Sequence, residues 1–287
     1  MTPENRHRLL FRTISALFSI LLIVVFHASP AEPNSVAVQP PYTLGVFPHL
    51  SSGQIEKLFA PFAAHLSKEL GRQIHLRTKP NFADFTAELE RQTYDFAFVQ
   101  PFDYVAAHDK YGYVPLVRRT GSLAAILVVR PDSPLHSLQD LKGKRIGLPP
   151  KIAAVSFLTR KALLDAGMDI NKDVSLHYLK AHDACLNQLL LNKVDVCGSS
   201  EHPIRYFENK WHVQFRELTK TQTIPTPLFI AHSRLPPDAR DAIKHAILSW
   251  QETKQGRSML QSSGITMFQP AEDSEYEIMR TYEQIRD

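Results

Sequence analysis

The residues best placed to do chemistry lie in the segment Ser137–Phe157, SLQDLKGKRIGLPPKIAAVSF. It reads as a short helix, a basic turn, a buried strand over Arg145–Leu148, a Pro-Pro break and the start of a long helix. A strand that delivers the chain to a helix N-terminus exposes free backbone N–H groups and the positive end of the helix dipole, which together favour an anion. Lys151 would add a full charge there, but no hydroxyl stands between Pro149 and Val155. A second candidate cluster, Ser199, Ser200 and Glu201, follows a strand over Asp195–Gly198 and would stand at the edge of an α/β layer. Ser200 acting simply as the N-cap of the helix that contains Pro203 is the alternative. His182, Cys185 and Cys197 form a third. The two sulfurs and one imidazole suit a thiophilic oxyanion or a soft metal ion; a disulfide or two separate buried thiols serve as well, since export permits either. The 13 histidines do not otherwise cluster, and no HExxH, CxxC, GxSxG, P-loop or GxGxxG pattern is present. The sequence therefore implies no enzyme, no resident metal and no cofactor.

These corners need a scaffold that alternates strands and helices. Tyr42–Phe47, Ile74–Thr78, Phe96–Val99, Tyr113–Arg118 and Leu123–Arg130 read as strands; Arg145–Leu148, Val174–Leu179, Asp195–Gly198 and Leu228–His232 follow. Helical spacing of Ile55, Leu58, Phe59, Phe62, Leu66 and Leu70 marks the first helix, which Pro61 is expected to kink or split. Breaks at Pro131-Asp-Ser-Pro134 and Ile224-Pro-Thr-Pro227 divide the pattern. The expectation is two α/β lobes, residues 42–131 plus 226–287 and residues 132–225. They would be joined by a hinge that the chain crosses twice, with a ligand cleft at the C-terminal ends of the strands. Residues 32–41 are a Pro-rich linker. Before it, Arg6, Arg8 and Arg12 precede an apolar run from Ile14 to Phe26, and Ser29-Pro30-Ala31 offers small residues for cleavage after Ala31. Residues 1–31 thus read as a secretory signal peptide, an uncleaved anchor being the alternative. No Cys lies near the cleavage point, so a lipoprotein is not expected. A formal net charge of +4 without clustered basic residues excludes a nucleic-acid footprint.

Four segments carry a family resemblance: LGRQI (Leu70–Ile74), YDFAFVQPFDYVAA (Tyr94–Ala107), LVVRPDSPLHSLQDLKGKRIGL (Leu127–Leu148) and AHDACLNQLLLNKVDVCGSSEH (Ala181–His202). Over nearly all of residues 42–270 the chain resembles the periplasmic phosphate/phosphite/phosphonate-binding (PhnD-like) solute-binding proteins of ABC transporters. The resemblance implies an α/β, type II periplasmic binding protein fold that clamps a small anionic ligand, phosphonate-, phosphite- or phosphate-like or another oxyanion, between two lobes. It also implies a periplasmic location, a monomer and an inner-membrane ABC permease as partner. A periplasmic sensor serving a membrane sensor kinase, or a thiophilic oxyanion or metal binder, is the alternative. Carried over by position, Gln100 and Tyr104 would line the cleft, His182 matches the family's cleft histidine and Glu201 lies near its cleft acidic position. The family's phosphonate-holding Ser-Thr-Ser run falls on Ala153, Ala154 and Val155, so Ala154 and Val155 would offer backbone amides but no hydroxyls. Each lost donor to an ionised group removes roughly 1.5–3 kcal/mol. Lys151 replaces that charge poorly, because an ammonium matches a tetrahedral oxyanion less well than a ring of short donors.

Overall fold

The computed structural model describes residues 39–263 and 267–283. The expected signal peptide, and the linker up to residue 38, lie outside them. The strands assemble into two sheets. The first contains β1 (Tyr42–Val46), β2 (Ile74–Arg77), β3 (Phe96–Val99), β4 (Tyr113–Arg119), β10 (Leu228–His232) and β11 (Phe268–Pro270), in the order β11-β4-β10-β3-β1-β2. The second contains β5 (Ile126–Val129), β6 (Arg145–Leu148), β7 (Ser175–Tyr178), β8 (Val196–Ser199) and β9 (Arg216–Lys220), in the order β7-β6-β8-β5-β9. Within each sheet the parallel strands are linked by helices, as a parallel pairing requires. In chain order the helices are α1 (Ser52–Glu69), α2 (Phe82–Glu90), α3 (Pro101–Tyr111), α4 (Ala154–Asp165), α5 (His182–Leu190), α6 (Glu201–Trp211), α7 (Pro237–Trp250), α8 (Lys254–Ser263) and α9 (Glu277–Glu283), of which α1, α2, α4 and α5 make those links.

Parallel pairing of β1 with β2 and β3, and of β6 with β7 and β8, brings their C-terminal ends to one edge of each sheet. Strand β4 shares that direction, because β4 and β3 are both antiparallel to β10. The chain passes between the sheets at residues 120–125 and again at 221–227. The two passages are tied together: the Leu123 N–H donates to the Ile224 carbonyl at 2.8 Å and the Ile224 N–H to the Leu123 carbonyl at 2.8 Å.

Two expectations are corrected here. Strand β5 belongs to the second sheet, paired with β8 and β9, so the first passage precedes it rather than falling at Pro131–Pro134. A fully apolar strand suits either core, and the turn-forming prolines after it mark a bend within the second half. Pro61 does not split the first helix, which runs continuously over Ser52–Glu69. Pro61 forfeits one backbone bond, but Ile55 and Phe59 before it and Phe62, Ala63 and Leu66 after it all bury on the same core.

Behind the cleft edge the second sheet is tightly packed. A Cβ on Gly198 would meet Leu148 Cδ2 at 2.6 Å and Thr159 Oγ1 at 2.9 Å. Gly198→Ala is therefore expected to lower stability by about 1–3 kcal/mol, the usual cost of overpacking, read as a lower urea midpoint at unchanged slope.

Candidate functional site

The strand ends converge on a partly open cavity of about 50 Å³ between the two sheets. From the first half it is lined by seven phenylalanines, by His49 just beyond β1, by Gln100 beyond β3 and by Arg119 at the end of β4. From the second half come Ala153, Ala154 and Val155 at the start of α4, His182 at the start of α5, and Ser200, His202 and Pro203 at the start of α6. Phenylalanine is the commonest residue on the wall, because the starts of β-to-α connections here bury against a phenylalanine-rich core. Ala153, Ala154, Val155 and Phe157 all pack into the same apolar cluster as Phe59, Phe98 and Phe229, and Phe157 meets Phe102 edge-on at 5.2 Å. Small apolar side chains at 153–155 are what that packing requires.

The helix N-termini at the cavity are not equivalent. At α4 the first amide is already occupied: the Ala154 N–H donates to Gln100 Oε1 at 2.9 Å, while Gln100 Nε2 donates to the Ile152 carbonyl at 3.2 Å. A buried amide side chain from one half thus caps the helix of the other. At α5 the His182 N–H points at the His49 carbonyl, at 3.4 Å. At α6 the N-cap Ser200 makes no side-chain bond to its own helix, and Ser200 and His202 both face the cavity. The backbone contributes a partial positive charge at this end.

Burial decides the charge state of the imidazoles. His49 is pushed down to about 4, mainly by loss of solvent. His182 falls to about 3, by burial and then by its neighbour His49. His202 falls well below the ordinary histidine value, by burial and then by the field of Arg119. All three are neutral near pH 7, so they act as hydrogen-bonding groups rather than cations. His49 Nδ1 lies 2.9 Å from the Phe47 carbonyl and must carry the proton of that bond, since a carbonyl only accepts. His182 Nδ1 pairs with Ser199 Oγ at 2.8 Å. Arg119 is the full charge on the cavity wall. Burial lowers it to about 10, still charged at neutral pH, and Glu201 partly offsets that effect. Its Nε is enclosed without a hydrogen-bond partner among the described residues.

Of the residues expected from sequence, Gln100, Ala154, Val155 and His182 come together on the cavity wall, and Ser199 stands directly behind His182. Three do not join them. Tyr104 is fully buried inside the first half, where its hydroxyl donates to Asp273 Oδ1 at 2.6 Å. Lys151 is exposed, and its carbonyl accepts from Arg160 Nη1 at 3.1 Å. Glu201 is exposed at the first turn of α6; with Arg119 and the exposed Lys220 it borders a small depression beside the cavity. The thiol alternatives are settled by a disulfide between Cys185 and Cys197, with both side chains fully buried. A bonded pair offers no thiolate to a soft ion. The residues missed from sequence are His49, Arg119 and His202. All three follow the rule that ligand sites gather at the C-terminal ends of parallel strands, which would have drawn attention to the residues after β1, β4 and β8.

Two α/β sheets with helices, a double passage between them and a cavity at the strand ends define a type II periplasmic binding protein, a two-lobe substrate-binding fold. Residues 44–276 match the family model described as ABC transporter, phosphonate, periplasmic substrate-binding protein, and the chain belongs to that family of transport components. Solved structures of the same fold agree. A binding protein component of an ABC phosphonate transporter from Pseudomonas aeruginosa has a TM-score of 0.77 at 16% identity, over 86% of this chain and 87% of that one. PhnD1 from Prochlorococcus marinus, solved with methylphosphonate, has a TM-score of 0.74 at 18% identity, over 85% and 97%. The periplasmic aliphatic sulphonate-binding protein SsuA from Escherichia coli has a TM-score of 0.60 at 14% identity, over 86% and 94%. No curated protein sequence matches. Proteins of this family bind small ligands and work with membrane permeases.

Proposed function

We propose that the chain captures a small organic anion in the cavity between its two lobes and presents it, unaltered, to an ABC permease. One observation carries the reading: the Arg119 guanidinium stands on the wall of an aromatic cavity with an enclosed Nε that no described residue satisfies. An enclosed donor of this kind costs about 1–3 kcal/mol when unpaired, and an anionic ligand removes that cost while supplying the counter-charge. Contacts from both halves then couple binding to closure about the paired segments at Leu123 and Ile224.

The test is a thermal-shift and calorimetric series with short alkanesulfonates, alkylphosphonates, phosphate and small carboxylates. A ligand at about 100 times its Kd stabilises by about 2.7 kcal/mol. Arg119→Gln is expected to weaken binding of the responding anion by about 10- to 100-fold, and Arg119→Lys by less, because the loss is that of charge-assisted donors. Unchanged affinity in a folded Arg119→Gln protein would remove the anion from this position.

A further inference from the structure

We propose that the ligand is a small monoanion with a short apolar substituent, held at Arg119 and the start of α6, and that doubly charged oxyanions are excluded. The inference rests on the reading that the cavity binds an anion and specifies its charge and shape.

Three observations restrict the charge. At the α4 corner the first amide, the Ala154 N–H, is taken by Gln100 Oε1, and positions 153–155 carry no hydroxyl, so the corner offers only the partial charge of a helix terminus. The α5 start is directed at the His49 carbonyl. The one full charge lining the cavity among the described residues is the Arg119 guanidinium; the helix termini add only partial charge, and beside α6 Glu201 already supplies a negative one. His49, His182 and His202 contribute no cation, because burial holds each of them neutral. A monoanion is matched by Arg119. The second charge of a dianion would be taken out of water with nothing to meet it, and uncompensated buried charge is among the most expensive arrangements in a protein.

The wall restricts the rest of the ligand. Phe47, Phe59, Phe98 and Phe229 face the cavity, and such a surface recovers free energy only when apolar groups displace water from it. The space in this partly open cavity is about 50 Å³, room for only a few water-sized groups at roughly 10–15 Å³ each. The substituent is therefore short.

The test uses the wild-type protein with four probes: methanesulfonate, ethanesulfonate, sulfate and methylphosphonate. Calorimetry is run between about pH 6 and about pH 9, where neither the imidazoles nor Arg119 changes charge. Methanesulfonate should bind at least about tenfold more tightly than sulfate, a difference of about 1.4 kcal/mol. Ethanesulfonate should bind at least as well as methanesulfonate. The sulfonates should show no pH dependence, whereas methylphosphonate should weaken by about tenfold per pH unit above its second ionisation, as its singly charged form is depleted. Sulfate binding more tightly than methanesulfonate, or a methylphosphonate affinity that is flat or rises with pH, overturns the monoanion inference while leaving anion capture intact. A protein that binds none of the four, nor phosphate or the small carboxylates of the wider series, overturns both.

Discussion

Lowering the pH from about 7 to about 5 is expected to cost the protein about 4 kcal/mol of stability through His49 and His182 alone. The unfolded imidazole titrates near 6.5, whereas in the folded molecule burial holds His49 at about 4 and His182 at about 3. The unfolded chain therefore binds more protons than the folded one throughout this interval, and stability falls as pH falls. The contribution is complete above the unfolded value, begins to be lost below it and continues to be lost until the folded values are reached. At about pH 5 each histidine has cost about 2 kcal/mol, from 1.36 kcal/mol per unit of separation. His202 and His232 are displaced in the same direction, also chiefly by burial, and steepen the slope. Carboxylates held low by ion pairs, such as Asp195 beside Arg145 and Asp109 beside Arg280, act only below the ordinary carboxylate range and leave this window to the histidines. Urea midpoints measured at half-unit steps of pH check the slope. His49→Gln and His182→Gln should each flatten it, and a stability independent of pH between about 5 and 7 would show that the imidazoles are reached by water. Because His49 sits in one half and His182 in the other, separating the lobes relieves the penalty without unfolding. Acid should also loosen closure and weaken ligand capture over the same range.

That these histidines matter was only half visible in the sequence. His182 was legible because it opens a helix after a strand in a segment dense with family motifs. His49 follows β1 in a stretch, Pro48-His-Leu-Ser51, with no periodicity to assign it a side. Arg119 shows the limit more sharply. Arg118 and Arg119 are adjacent at the end of β4, and neighbouring strand residues point to opposite faces, so one of the two had to turn toward the cleft. Which one is decided by tertiary partners: Arg118 is taken by Glu275 at 2.7 Å, more than 150 positions away in the chain. Tyr104 failed for a related reason. Its position on α3 was right, but the helix turns its hydroxyl to Asp273, near the C-terminus of the chain. The sheet assignment of β5 failed because an unbroken apolar strand fits either core. Local pattern thus identified the scaffold and the strand-end corners, while the direction of individual side chains depended on partners distant in sequence.

Removing the Cys185–Cys197 bond is expected to cost about 3 kcal/mol and to reach the site as well as the fold. The cysteines are 12 residues apart, and closing a loop of that size restricts the unfolded chain by about 3 kcal/mol. The bridge joins the first turn of α5 to the middle of β8 within a cluster that includes Leu186, Leu189, Val194 and Phe207. His182 is one turn before Cys185 on the same helix, and its partner Ser199 is two residues beyond Cys197 on the same strand. The bridge and the His182–Ser199 hydrogen bond therefore pin the same helix to the same strand at neighbouring points, and together they fix where the imidazole enters the cavity. A Cys185→Ala, Cys197→Ala double variant should show the stability loss as a lower urea midpoint. It should also bind the responding anion more weakly even at low temperature, where the variant is fully folded. If affinity is retained while stability falls, the bridge serves the fold alone, and the Ser199 hydrogen bond is sufficient to position His182. Combining the double variant with Ser199→Ala separates the two restraints: sharing one function, they should couple, with the triple variant losing more affinity than the sum of the separate losses.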